Sequence, residues 1–153
     1  MAYRVGDADA GGRVDGNDSD RLNRMVAGAF GAVYLLVGLL GFFGHKDGEE
    51  FAGRDGHSLL GFTLNNLSNI VHLAIGAALL AAAAAGWKAA RSANLTIGVV
   101  YLALGVIGFF IVNTDVNILA LNTPVHFLHL VSGALLTAVA LSGRKRTAVD
   151  RTA

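Results

Sequence analysis

The sequence contains no cysteine, a single proline and few charged residues. Without cysteine, the chain can form no disulfide bond, thiolate metal site or covalent haem attachment. Charged residues make up 15% of the 153 residues and hydrophobic residues 54%, whereas a soluble domain carries roughly 25% charged residues. The formal net charge of +1 provides no strongly basic surface for nucleic acid. The composition therefore indicates an integral membrane protein with no nucleic-acid partner.

The charged residues are unevenly placed along the chain. All twelve Lys and Arg residues and all eleven Asp and Glu residues fall outside four apolar runs. The runs cover residues 25–44, 66–87, 92–114 and 123–143. Each is about 20 residues long, which is enough for an α-helix to cross a hydrocarbon core of about 30 Å. We therefore predict an all-α bundle of four transmembrane helices.

The flanking segments complete the predicted domain organisation. Residues 1–20 are rich in Gly and Asp and poor in large apolar side chains, which is typical of a disordered tail. We expect Ser19 or Asp20 to cap the first helix, because both side chains accept hydrogen bonds from exposed backbone N–H groups. The membrane domain then covers residues 21–143, and residues 144–153 form a basic tail.

The basic residues predict the orientation of the chain in the membrane. Seven of the basic residues lie beside the run ends that are on the same side of the membrane as the two tails. Two lie in the connections on the opposite side. Because Lys and Arg are enriched in cytoplasmic flanks, we expect both tails in the cytoplasm, in a multi-pass protein of the plasma membrane. The connection at residues 45–64 is rich in Gly and charged residues and is expected to be a solvated outer loop.

The sequence repeats itself in two halves. The first and third runs match at a shift of 67 residues, and the second and fourth runs at a shift of 57. In the first pair of runs, Gly31, Tyr34, Gly38, Gly41, Phe42 and Phe43 recur as Gly98, Tyr101, Gly105, Gly108, Phe109 and Phe110. In the second pair, Leu64, Asn65, His72, Leu73, Gly76 and Ala77 recur as Leu121, Asn122, His129, Leu130, Gly133 and Ala134. This pattern predicts a tandem duplicated helical hairpin with a pseudo-twofold axis along the membrane normal.

Glycine and tyrosine form a stripe on one face of the first helix, and the stripe recurs on the third. Small residues let helix backbones approach closely in lipid. We therefore predict a packing seam between the first and third helices. The alternative is a groove for a lipid or cofactor, in which the hydroxyls of Tyr34 and Tyr101 are the polar contacts.

The histidines are the main candidate functional residues, because polar side chains at their depth usually face the bundle interior. His72 and His129 occupy equivalent positions, and His126 lies one turn before His129, where the first half has Asn69. Three interpretations are open. The imidazoles form interhelical hydrogen bonds with a structural role, or they belong to a path for protons or a substrate. In the third interpretation they bind a haem or a metal ion.

Two asparagines precede helices, and the sequence lacks familiar catalytic motifs. Asn65 and Asn122 are expected to be helix N-caps with no other role. The sequence carries no hydrolase, metalloprotease, P-loop or dinucleotide-binding motif. We therefore expect no enzyme activity, no bound cofactor and no metal site.

One stretch of sequence resembles a known family. The pattern Leu64-Asn65…Asn69-x-x-His72-Leu-x-x-Gly76 follows a Gly-x-x-Tyr…Gly-x-x-Gly-Phe helix. It resembles an uncharacterised bacterial family of four-span membrane proteins, one of the numbered domains of unknown function. The resemblance covers about residues 22–141 and implies a plasma-membrane location and four spans. It implies no activity, substrate or cofactor.

These observations favour a non-enzymatic interaction or accessory protein. Its expected environment is the lipid bilayer, and its expected partner is a second copy or another membrane protein, bound through the Gly-rich helix faces. One alternative is a small carrier or proton pathway centred on His72 and His129. Another is a membrane redox protein that binds haem or metal.

Overall fold

A computed structural model describes residues 16–44 and 51–142 of the chain. Its helices are α1 (Gly16–Phe43), α2 (Asn66–Ala85), α3 (Trp87–Ile111) and α4 (Thr123–Leu141). A short antiparallel β-hairpin between α1 and α2 contains strands β1 (His57–Leu59) and β2 (Phe62–Leu64). All four helices are long and apolar enough to cross a membrane. The predicted all-α membrane bundle is therefore confirmed.

The helices pack as two helical hairpins, α1 on α2 and α3 on α4. Glycines make both contacts close: a Cβ atom on Gly31 would lie 2.9 Å from the Gly76 carbonyl oxygen. A Cβ atom on Gly98 would lie 3.0 Å from the Gly133 carbonyl oxygen. The glycine part of the predicted seam between the first and third helices is wrong, because these glycines face the other helix of their own hairpin.

An arginine links the two helices of each helical hairpin. Arg24 Nε donates a hydrogen bond to the Ala83 carbonyl oxygen at 2.9 Å, and Arg91 Nε donates to the Ala140 carbonyl oxygen at 2.6 Å. Both carbonyls belong to the last turn of a helix, where intrahelical donors run out. The four residues correspond at the shifts of 67 and 57 residues, so the two helical hairpins make equivalent contacts.

Two helix boundaries differ from the predicted ones. The first helix begins at Gly16, so Ser19 and Asp20 lie inside it and neither is its N-cap. Instead, the Ser19 hydroxyl donates to the carbonyl oxygen of Ser142, just after α4. A single residue, Gly86, separates α2 from α3, and its φ of +122° suits a residue without a Cβ atom. Residues 1–15 and 144–153 of the predicted tails lie outside the described residues, as does the last residue of the predicted membrane domain, Gly143.

The connection between α1 and α2 contains a β-hairpin where we predicted a solvated loop. Its turn residues Leu60 and Gly61 have φ values of +54° and +88°, and positive φ at both positions is typical of a type I′ turn. Gly53 forms an isolated parallel bridge with Leu119, in the connection between α3 and α4. Residues 51–65 and 112–122, which we call the loop end, therefore join to cover one end of the bundle.

Candidate functional site

Four side-chain rings form a row through the bundle, and we call His72, Tyr34, Tyr101 and His129 the ring row. The ring centroids are 5.7 Å apart between His72 and Tyr34, and 4.7 Å apart between Tyr101 and His129. The two tyrosines meet edge to face at 5.6 Å, between α1 and α3. The structure thus brings together four of the six residues that the sequence singled out.

The ring row lies in the interior of the protein. Tyr34, Tyr101 and His129 are at most 8% exposed, and His72 is half-buried. The predicted interior location of the two histidines is confirmed, although their hydrogen bonds differ. His72 Nδ1 is 2.7 Å from the carbonyl oxygen of Ser68, whereas His129 Nδ1 is buried and has no hydrogen-bond partner among the described residues.

A cavity of about 280 Å³ lies beside the ring row, between α1 and α4, and we call it the capped cavity. Most of its wall is apolar, and its polar lining consists of Tyr34, Thr63, Ser68, His72, His129 and Ser132. Val33, Leu60 and Leu128 also line the cavity and are 54%, 90% and 48% exposed. Because these lining residues reach the protein surface, the cavity opens on the face formed by α1 and α4.

The β-hairpin forms the cover of this cavity, and Asn122 holds it there. The Asn122 amide nitrogen donates to the Gly61 carbonyl oxygen at 2.9 Å and to Thr63 Oγ1 at 3.0 Å. Its amide oxygen accepts from the Val125 backbone N–H, as expected of the N-cap of α4. The capping role is therefore confirmed, but the prediction that Asn122 has no other role is wrong.

Asn65 has the same double role at the start of α2. Its amide oxygen accepts from the Ser68 backbone N–H at 2.8 Å, which completes a capping box. Its amide nitrogen donates to the carbonyl oxygens of Gly53 at 3.0 Å and Ile118 at 2.9 Å. Each capping asparagine therefore ties its helix to the connection of the other half of the chain.

A second cavity, of about 110 Å³, lies between α2 and α3. It shares His72, His129 and Ser68 with the capped cavity. Its wall residues Val100, Tyr101 and Leu104 correspond at the shift of 67 residues to Val33, Tyr34 and Val37 of the capped cavity. The two histidines therefore lie between two related cavities, and the larger one is lined in part by the β-hairpin.

Asn69 and His126, the other two candidates, lie outside the ring row. Both are fully buried, pressed against Gly41 and Gly108, where an added Cβ atom would overlap their side chains. Their side-chain nitrogen and oxygen atoms have no hydrogen-bond partner within the described part of the chain. Across residues 16–44 and 51–142, no three His, Asp or Glu side chains are grouped to hold a metal ion. The three histidines therefore do not come together as one metal-binding group within these residues.

Sequence reasoning missed the two serines and the β-hairpin. Ser68 lies four residues before His72, and Ser132 lies three residues after His129. At these spacings, side chains share one helix face, so helical periodicity gives a signal for both. The β-hairpin gives little signal, because each of its strands has only three residues.

Comparison with known proteins places the whole site inside one family. Residues 24–142 match the family described as Domain of unknown function (DUF4383). A search of curated proteins and a search of solved structures each found no match. The matched segment contains the four helices' apolar parts, the ring row and both capping asparagines. The chain therefore belongs to the DUF4383 family, which confirms the resemblance to a numbered domain family of unknown function.

Proposed function

We propose that the protein is a non-enzymatic protein of the plasma membrane that binds a small apolar molecule in the capped cavity. The observation that carries this proposal is the cavity itself, a mostly apolar space of about 280 Å³ with a few polar side chains in its lining. Apolar walls with a few placed polar groups are typical of small-molecule sites. The volume suits a head group or ring, and any longer tail would leave between α1 and α4 into the bilayer.

The residues of the site favour binding over catalysis. General acid–base catalysis usually pairs a histidine with a carboxylate that orients it. The four apolar runs contain no Asp or Glu, and His72 is oriented by the Ser68 carbonyl oxygen instead. The imidazoles therefore resemble contact groups for a ligand more than an activated base.

Filling the capped cavity should displace its ligand. Val37 lines the cavity, so Val37→Trp is expected to reduce at least about tenfold the amount of any apolar small molecule that co-purifies with the protein. Leu39→Trp is the matched control, because Leu39 is on the same helix and 51% exposed. The measurement is mass spectrometry of organic extracts from protein purified in lipid nanodiscs. Equal recovery of every small molecule from the two variants would refute the proposal.

A proton pathway is the second candidate, because the ring row links the two cavities. The rings of Tyr34 and Tyr101 lie between those of the two histidines, so the row contains four side chains with exchangeable protons. Proteoliposomes with a pH-sensitive dye should then show proton flux that Tyr34→Phe removes.

The haem alternative predicts a Soret band in the visible spectrum of the purified protein.

We further infer that both termini are cytoplasmic and that the chain arose by duplication of a helical hairpin. The basic flanks support this orientation. Equivalent arginine and glycine contacts in the two halves support the duplication.

The orientation has a direct test. After Gly143, only a reporter that works in the cytoplasm should be active. Between Gly48 and Phe51, only a reporter that works outside the cytoplasm should be active. Paired alkaline phosphatase and fluorescent-protein fusions measure this. If both fusion sites report the same compartment, the inferred orientation is wrong.

A further inference from the structure

We propose that the capped cavity selects apolar molecules whose head group donates a hydrogen bond, such as long-chain or ring alcohols, and that His72 Nε2 accepts this bond. The inference rests on the binding function proposed above and names the chemical class of its ligand. It follows from where the protons lie on His72 and on the two serines that line the cavity.

The hydrogen bond of His72 fixes which nitrogen carries its proton. His72 Nδ1 lies 2.7 Å from the Ser68 carbonyl oxygen, and a carbonyl oxygen only accepts hydrogen bonds. Nδ1 is therefore the donor. A neutral imidazole has a single N–H group, so Nε2 of a neutral His72 carries a lone pair and can only accept.

The surroundings of His72 favour the neutral ring. The four apolar runs contain no Asp or Glu that would balance an imidazolium. The His72 ring contacts Tyr34, and His129 lines the same two cavities. An ionised side chain without a counterion is costly at this depth in a membrane.

The protons of the two serines that line the cavity are already used. The Ser68 hydroxyl donates to the Asn65 carbonyl oxygen at 2.9 Å, and the Ser132 hydroxyl donates to the Leu128 carbonyl oxygen. Both serines therefore offer a ligand only their oxygen lone pairs. Among the described residues, His72 makes its side-chain hydrogen bond through Nδ1, and no side chain donates to Nε2.

His72, Ser68 and Ser132 thus present acceptors to the cavity, and a hydrogen-bond donor is the head group that complements them. Leaving Nε2 facing an apolar or purely accepting head group would cost the hydrogen-bonding energy of a buried polar atom. An alcohol satisfies Nε2, whereas an ether or a ketone of the same chain length does not. The apolar walls and the opening between α1 and α4 accommodate the chain of such a molecule.

A matched ligand series tests the inference. Full-length protein in nanodiscs is titrated with radiolabelled dodecanol, dodecyl methyl ether and 2-dodecanone, with empty nanodiscs to correct for partition into lipid. We expect dodecanol to bind about tenfold more tightly than the other two, the usual size of one hydrogen bond in a dry site. His72→Phe keeps an aromatic ring and should abolish this preference without abolishing binding.

The outcomes separate this inference from the proposed function. If the three ligands bind equally and Val37→Trp blocks all of them, the cavity binds apolar molecules but does not select donors, and the inference fails alone. If 2-dodecanone binds as tightly as dodecanol, a donor such as His129 reads the head group, and the inference is again overturned. If no ligand binds to the protein-containing nanodiscs more than to the empty ones, the inference and the proposed function both fail.

A spectroscopic measurement covers the case in which His72→Phe does not fold. In unmodified protein labelled with ¹⁵N-histidine, His72 should show a protonated Nδ1 and an unprotonated Nε2, and dodecanol should shift the Nε2 resonance. A protonated Nε2 in the unliganded protein would contradict the assigned acceptor.

Discussion

Replacing Gly76 with alanine is expected to lower the free energy of unfolding by about 2 to 3 kcal/mol, near the upper end for overpacking a tight contact. The new methyl group would lie 2.7 Å from the backbone nitrogen of Leu35 and 2.8 Å from the carbonyl oxygen of Gly31. Both atoms belong to the backbone of α1, so no side-chain rotation can relieve the overlap. The two helices must separate along their whole contact, and in lipid they lose the close packing that holds them together.

Gly28→Ala is the matched control for this substitution. Gly28 is also a helical glycine of the α1–α2 pair, but a Cβ atom there would lie 3.9 Å from the Ala83 Cβ atom, an ordinary contact. Alanine at that position should be neutral or slightly stabilising, because alanine favours the helix by about 0.5 to 1 kcal/mol over glycine. The measurement is unfolding of the purified variants by titration with a denaturing detergent. Equal stability of the two variants would contradict the glycine contact between α1 and α2.

These glycines also show how far the sequence determines the fold. Charge placement and run length predict four spanning helices, because few backbone structures are stable in the interior of a membrane. The repeat identifies equivalent glycines in the two halves. It does not identify the partner helix, since Gly31 and Gly38 on a stripe permit close approach to any neighbour. The structure assigns them to α2, and the tyrosines of the same stripe to the contact between α1 and α3.

Only part of the candidate site could be predicted from the sequence. Depth and symmetry place His72 and His129 in the interior, and both are there. The cavity depends on the β-hairpin, whose position comes from long-range bonds such as the one from Asn122 to Gly61. Those contacts join residues about 60 positions apart, and local sequence patterns carry no information about them.

Asn65→Asp is expected to destabilise the protein by about 3 kcal/mol, more than Asn65→Ala, which should cost about 2 kcal/mol. Aspartate preserves the capping oxygen that accepts from the Ser68 N–H. It removes the two N–H donors and directs a carboxylate oxygen at the carbonyl oxygens of Gly53 and Ile118. Asn65 is 0% exposed, so little water is available to compensate the repulsion.

Which of the two variants is less stable decides between a capping role for Asn65 and a role in linking the two connections. If capping were the only function of Asn65, aspartate would be tolerated, because it is as good an N-cap as asparagine, and alanine alone would cost about 1 kcal/mol. Asn122→Asp is the matched control in the other half, where the bond to Gly61 is exposed to solvent, and it should cost at most about 1 kcal/mol. Thermal unfolding of all three variants in the same detergent measures their relative stability. Aspartate as stable as asparagine at position 65 would show that the bonds to Gly53 and Ile118 do not hold the loop end together.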